Sequence, residues 1–209
     1  MDNFLPLFPL KLVAFPGEQL NLHIFEERYK QLVSECIEEN KRFGIPAYLN
    51  NQIECGTEMS VERVGKTYSD GQLDIVTVAH RVFKVVEFYR VAPSKLYAGG
   101  DIIFLDNISD VDLAKQQQMV ALTLELFDVL SLSDNFALGD QISAFDIGHK
   151  IGLSNQKKYE LLQIERESDR QQFVIDHLEA SIPVIRDMEN ARERIRMNGH
   201  FQKFDPLDF

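Results

Sequence analysis

Tryptophan is absent from this chain of 209 residues, and cysteine occurs only twice, as Cys36 and Cys55. Two cysteines cannot make a disulfide framework, and without a CxxC pair no zinc site of the usual spacing can start. Reduced thiols fit a cytoplasmic protein. Long apolar runs are missing as well, since nothing approaches the roughly 20 residues that span a bilayer. The apolar N-terminus has Asp2 where a signal peptide has basic residues, and Pro6, Pro9 and Pro16 interrupt it. No membrane partner is expected. Basic residues are outnumbered, 22 Lys plus Arg against 33 Asp plus Glu, leaving a net charge of −11. Such a chain repels a phosphate backbone, so nucleic acid is a poor partner unless a local basic face exists.

What remains is an ordinary globular composition, 44% hydrophobic and 26% charged, at a length that buries a sizeable core. Its punctuation is uneven. Five of the seven prolines fall before residue 94, and none occurs between Pro93 and Pro183. Punctuated, β-branched sequence followed by unbroken sequence predicts strands first and helices second. The expected class is α+β, with a β-rich domain over 1–108 and a helical one over 109–209.

Leu73, Ile75, Thr77 and Ala79 alternate with Asp74, Val76, Val78 and His80, the period of a half-buried strand. A strand candidate from Met59 towards Tyr68 precedes it, and Ser69-Asp70-Gly71 supplies the hairpin turn between them. Phe43–Leu49, Val82–Tyr89 and Ile102–Leu105 add further strands. One helix interrupts them between Glu26 and Asn40, with Tyr29, Leu32, Val33, Cys36 and Ile37 as its apolar stripe.

In the second half, Ser109-x-x-Asp112 predicts a capping box for a helix whose buried face carries Leu113, Val120, Leu124 and Phe127. A short helix over Ile142–Lys150 follows. Ser154 and Ser168 are expected caps for two more, the last with Ile175, Leu178, Ile182 and Ile185 on one face. Pro183 is expected to kink or break it, and Gly199 to stop the helical segment beyond.

Chemistry-bearing motifs are few. Gly65-Lys66-Thr67 ends like a phosphate loop, but Ser60 stands where such a loop needs its first glycine, and the triplet lies in a strand. No GxSxG or HExxH occurs. His23-x-x-Glu26 offers two ligands where a metal needs three or four. Cys36 sits on an apolar stripe and is expected to pack, not react. Arg186, Arg192, Arg194, Arg196 and Lys203 alternate with acids, as on a salt-bridged helix surface. No catalytic, cofactor-binding or metal-ligating residue is expected.

The opening segment carries a resemblance. Leu5-Pro6-Leu7-Phe8-Pro9-Leu10, Val13-x-Phe15-Pro16-Gly17 and Leu22-His23-Ile24-Phe25-Glu26-x-Arg28-Tyr29 resemble the N-terminal substrate-binding domain of the Lon protease family. Phe43-Gly44-Ile45, Gly56-Thr57, Asp70-Gly71, Arg81-Val82-Phe83 and Tyr97-Ala98-Gly99-Gly100 follow in that family's order, and Asp146-Ile147, Lys157-Lys158 and Leu161-Leu162 continue it. Ala79-His80 replace a frequent glycine, and neither an ATPase module nor a Gly-Pro-Ser-Ala-Gly nucleophile segment is present. The resemblance therefore implies a stand-alone, non-catalytic module with a PUA-like β pseudo-barrel and a C-terminal helical bundle. It implies recognition of unfolded or misfolded polypeptide in support of ATP-dependent proteolysis, with a protease or chaperone as partner. An RNA-binding PUA-like protein and an adaptor for one folded partner are the alternatives.

Within that frame, Phe8, Phe15 and Phe25 read as core, and Glu26 with Arg28 as a helix-start ion pair or cap. Tyr48 and Tyr68 read differently. Each is an amphipathic aromatic at a predicted strand end, beside Asn50-Asn51 and Ser69-Asp70, and is a candidate contact for extended apolar peptide.

Overall fold

A computed structural model describes residues 4–49, 52–132 and 142–200, side chains excepted for the last four. Strands β1 (Phe4–Leu7) and β2 (Gln19–Ile24) lead into helix α1 (Glu27–Glu38). Strands β3 (Phe43–Leu49), β4 (Gln52–Thr67), β5 (Leu73–Tyr89) and β6 (Ala98–Phe104) follow. Helices α2 (Leu113–Val129), α3 (Ala144–Gly148), α4 (Asn155–Leu162) and α5 (Glu167–His200) complete the chain, giving an α+β protein.

The sheet runs β2-β5-β4-β3-β1-β6, and β6 also pairs with β5. Five strands thus close into a ring with β2 hung outside it. The closure is loose, because β1 and β3 meet in parallel at a single pair, Leu7 with Gly44. This is a ring-like sheet and not a clean barrel. Its two long strands are longer than the sequence period suggests. The predicted strands around Leu73–Ala79 and Val82–Tyr89 are one continuous β5, and β4 begins at Gln52, not Met59. Register shifts let them bend while staying paired, for example between Thr57 and Met59 and between Val61 and Arg63. The turn between them is as expected, with Gly71 at φ +80° and the Asp70 side chain accepting from the Gln72 amide at 3.2 Å.

One apolar cluster crosses from sheet to helices. Val13, Phe15, Ala47, Cys55 and Val82 pack with Met119, Leu126, Phe145, Leu161, Val174 and Leu178. A second lies under α1, where Tyr29, Leu32, Val33 and Cys36 meet Phe43, Met59 and Ile75. Phe8 and Phe15 are buried as expected, but Phe25 is 59% exposed. It follows β2 at the open end of the sheet, where no second layer covers it.

Several helix expectations are corrected. The buried face of α2 is Met119, Thr123, Leu126 and Phe127, while Leu113 and Leu124 are exposed. From Met119 to Phe127 only Thr123 and Glu125 interrupt the apolar residues of the helix, so composition could not choose between two overlapping stripes. Asp112 alone caps it, accepting from the Ala114 and Lys115 amides, and Ser109 takes no part. Ser154 does cap α4. Ser168 does not cap α5 but lies in its first turn, where its amide and hydroxyl donate to Asp110. Pro183 lies inside an unbroken α5, which also runs through Gly199. The proline is tolerated where the helix surface faces solvent and the freed carbonyl can reach water.

Candidate functional site

The segment after β6 is laced to the start of α5, and this seam shapes a groove. The Ile108 amide donates to the Glu165 carbonyl at 2.8 Å, and the Glu167 amide returns a bond to Ile108 at 2.9 Å. Asp110 accepts from Ser168 and pairs with Arg166 at 2.7 Å. The Ser168 hydroxyl, its amide and Arg166 hold the Asp110 carboxyl down at about 2.

Beneath the seam lies a buried ion pair. Arg170 Nε donates to Glu167 at 2.8 Å, and both side chains are 4% exposed. Charges that deep persist only when paired and hydrogen-bonded, and these are. Arg170 also reaches Asn107 Oδ1 and the carbonyls of Ile164 and Glu165, while its guanidinium lies 4.3 Å from the Phe145 ring centroid. The other Glu167 oxygen accepts from the Ala144 amide at 2.7 Å, satisfying a free donor at the start of α3. Gln171, also buried, accepts from the Asp112 amide, and its Nε2 is unpartnered among the described residues.

Two adjoining concavities of about 280 and 630 Å³ open along this seam, and Pro16, Asn107, Phe145 and Arg170 line both. The smaller lies between Val82 and Phe104 of the sheet and Ile164. The larger is walled by Val111, Leu113 and Ile142, with Ser109, Gln116 and Ser143 at its polar margin and Asn107, Glu167 and Arg170 on its floor. Leu113 is 71% exposed and Val111 43%. The result is a trough with an apolar wall over a floor whose buried charges are paired.

Nucleophiles fare poorly. Burial pushes the Cys36 and Cys55 thiols up to about 12. Ser60 Oγ and His80 Nε2 are 2.7 Å apart, a nucleophile–base spacing that residues twenty apart in sequence did not reveal. Burial, with Arg42 and Arg81 nearby, lowers the His80 pKa. The nearby Glu58 is already held by Arg42 and Arg81, and so does not orient the imidazole. His23 bonds to Asp74 and Gln72, not to Glu26; Glu26 pairs instead with Arg28 at 2.7 Å and does not cap α1 through its side chain. No group of three or more metal-ligating side chains occurs among the described residues. Arg186 pairs with Glu125 and Arg192 with Glu189, while Lys203 lies outside the described residues. Among the described residues no helix is long and apolar enough to cross a membrane.

Tyr48 and Tyr68 are not brought together. Tyr48 pairs with Ile53 at the start of β4, and Tyr68 follows the end of that strand. The separation along β4 is roughly 45 Å at the usual rise per residue. Tyr68 donates to Asp74 at 2.7 Å, meets the His23 ring edge-on and lies under Lys66. Asn50 and Asn51, beside Tyr48, are outside the described residues.

Residues 4–180 match the ATP-dependent protease La (LON) substrate-binding domain. The chain belongs to this family. No protease or ATPase domain is detected with it. The crystal structure of a Lon N-terminal domain protein from Xanthomonas campestris is 27% identical, covers 83% of this chain and 97% of its own, and superposes with a TM-score of 0.66. The N-terminal domain of a Mycobacterium avium complex Lon protease covers 84% of this chain and 98% of its own at 13% identity, with a TM-score of 0.62, and shares the fold. No curated protein matches the chain.

Proposed function

We propose that this Lon-type substrate-binding domain is a non-catalytic module that takes exposed or unfolded polypeptide segments, in support of ATP-dependent proteolysis by a partner protease. The observation that carries the reading is the open trough with its apolar wall, Leu113 being 71% exposed at the rim. Leu113 does not stand alone there, since Val111 and Ile142 line the same wall, and it is such a contiguous apolar patch, not one bare leucine, that marks contact surface. Side-chain pockets above a fixed floor suit promiscuous, weak recognition, with an affinity of roughly micromolar for a small interface. Tyr48 and Tyr68 are proposed as additional contacts at the two ends of β4.

The test compares a permanently unfolded model substrate with its folded counterpart by fluorescence anisotropy. Preference for the unfolded form is expected. Leu113→Asp should weaken it about tenfold, since an acid at the first helical position suits the helix but not an apolar wall. Equal binding to both forms, or to neither, overturns the reading.

A further inference from the structure

The longest stretches of strand with one unpaired side among the described residues are β2, β4 beyond Met59, and β5 beyond Lys84; the others, 4–6, 52–54 and 102–104, are three residues each. Open edges invite pairing with other chains, and proteins guard them with charge and bulges. Two of the long edges are guarded. The far half of β4 carries Glu62, Arg63 and Lys66 and shifts register twice. The end of β5 carries Glu87 and shifts beside it. The third, β2, reads Gln-Leu-Asn-Leu-His-Ile, pairs with β5 in even register, and has neither lysine, acid, proline nor bulge within it.

The register also shows which backbone groups are free. The Ala79 amide donates to the Glu18 carbonyl at 2.9 Å and the Gly17 amide returns a bond to Ala79 at 2.9 Å, a bulge just before β2 that sets Ala79 at a hydrogen-bonded position of the ladder. Pair types alternate along an antiparallel ladder. Leu20, Leu22 and Ile24 therefore bond to β5, and Gln19, Asn21 and His23 turn their amides and carbonyls outward. Their side chains are exposed, whereas Leu20 and Leu22 are half-buried against the α1 core and extend an apolar row to the edge.

We infer that the outer edge of β2 is a strand-addition site for an extended polypeptide segment with apolar residues at alternate positions and no acidic ones. This rests on the polypeptide-binding reading and adds a second, main-chain-directed contact to it. Outward donors and acceptors repeating every second residue, on the order of 7 Å apart, match the repeat of an extended backbone. Leu20 and Leu22 select the apolar positions, and the net charge of −11 repels acidic segments.

The test uses a labelled peptide alternating valine and lysine, the same peptide with its alternate amides N-methylated, and an alternating valine–glutamate control. The intact lysine peptide should bind at least tenfold more tightly than either control. Asn21→Pro should cost a similar factor, because proline removes an outward amide without touching the β5 ladder. The methylated peptide needs no altered protein, so the result stands even if that variant folds poorly. Equal binding of methylated and intact peptides overturns the edge site. If Leu113→Asp then weakens binding to unfolded protein, the trough reading survives alone.

Discussion

Phe15 stacks on Phe145 with ring centroids 5.2 Å apart and planes 22° from parallel, joining the segment before β2 to helix α3. Both rings are buried, and Arg170 lies over Phe145 on the groove floor. The pair therefore holds the helices on the sheet and sets the floor of the trough. Phe15→Ala should cost about 3–5 kcal/mol in chemical denaturation. A fragment of residues 1–108 would bare Val13, Phe15, Ala47 and Val82 and should melt well below the whole chain. Equal stability of fragment and whole would refute the shared core.

Acid should loosen the protein at the carboxylates that folding holds below their ordinary values, Glu35, Glu58, Asp74 and Asp110 among the described residues. Burial pushes the Glu58 carboxyl up, but hydrogen bonds and charge from Arg81 and Arg42 outweigh it and hold it below its ordinary value. Asp110 falls from 3.8 to about 2. A carboxyl lowered by folding adds stability that is full above its unfolded pKa and is lost as pH falls through the folded one. The carboxylate contribution to the unfolding free energy should thus be level from neutral pH to about 5 and decline towards pH 2, given unfolded values of about 4. Glu58→Gln should cost about 2 kcal/mol at neutral pH, discounted because both arginines are half-exposed, and should flatten the decline.

Two glycines of β4 should respond oppositely. A Cβ at Gly56 would lie 2.3 Å from the Ile45 carbonyl oxygen and from the Pro46 Cα, backbone that cannot step aside. Gly56→Ala should cost about 3 kcal/mol or more in a thermal or denaturant melt. At Gly65 the nearest atom is 3.4 Å away, so alanine fits and should change stability by less than about 0.5 kcal/mol. If Gly65→Ala instead proved as damaging as Gly56→Ala, the open surroundings of Gly65 would be wrong.

What could be read in the sequence was local. Asp70-Gly71 announced its hairpin, Ser154 its helix, and the ordered N-terminal motifs their family. Relations between distant segments were not legible. Nothing near Glu167 signals that it caps α3 at Ala144, and nothing near Asp110 signals Ser168. The face of α2 was misread because Leu113 and Leu124 are as apolar as the residues that pack, and only the position of α5 decides between them. The trough was legible only as a kind of surface the family would need. The bare edge of β2 was hidden, because a strand becomes an edge only through sheet order.

The final prediction concerns the two tyrosines. Tyr68 shares its corner with His23 and with Phe25, which is 59% exposed and 6.1 Å from the His23 ring. If its ring is the contact, Tyr68→Phe keeps affinity for an unfolded substrate and Tyr68→Ala loses about threefold to tenfold. The phenylalanine variant removes only the hydroxyl bond to Asp74 Oδ2 and leaves His23 bonded to Asp74 Oδ1 and Gln72, so it separates a hydroxyl effect from a ring effect. Tyr48→Ala should weaken binding by a similar factor. Because the two lie at opposite ends of β4, their effects should add to within about 0.5 kcal/mol in the double variant. Anisotropy titrations of the parent protein and these four variants against one labelled unfolded substrate decide it. Unchanged affinity in both alanine variants would remove the tyrosines from the binding surface and leave the trough and the β2 edge to carry it.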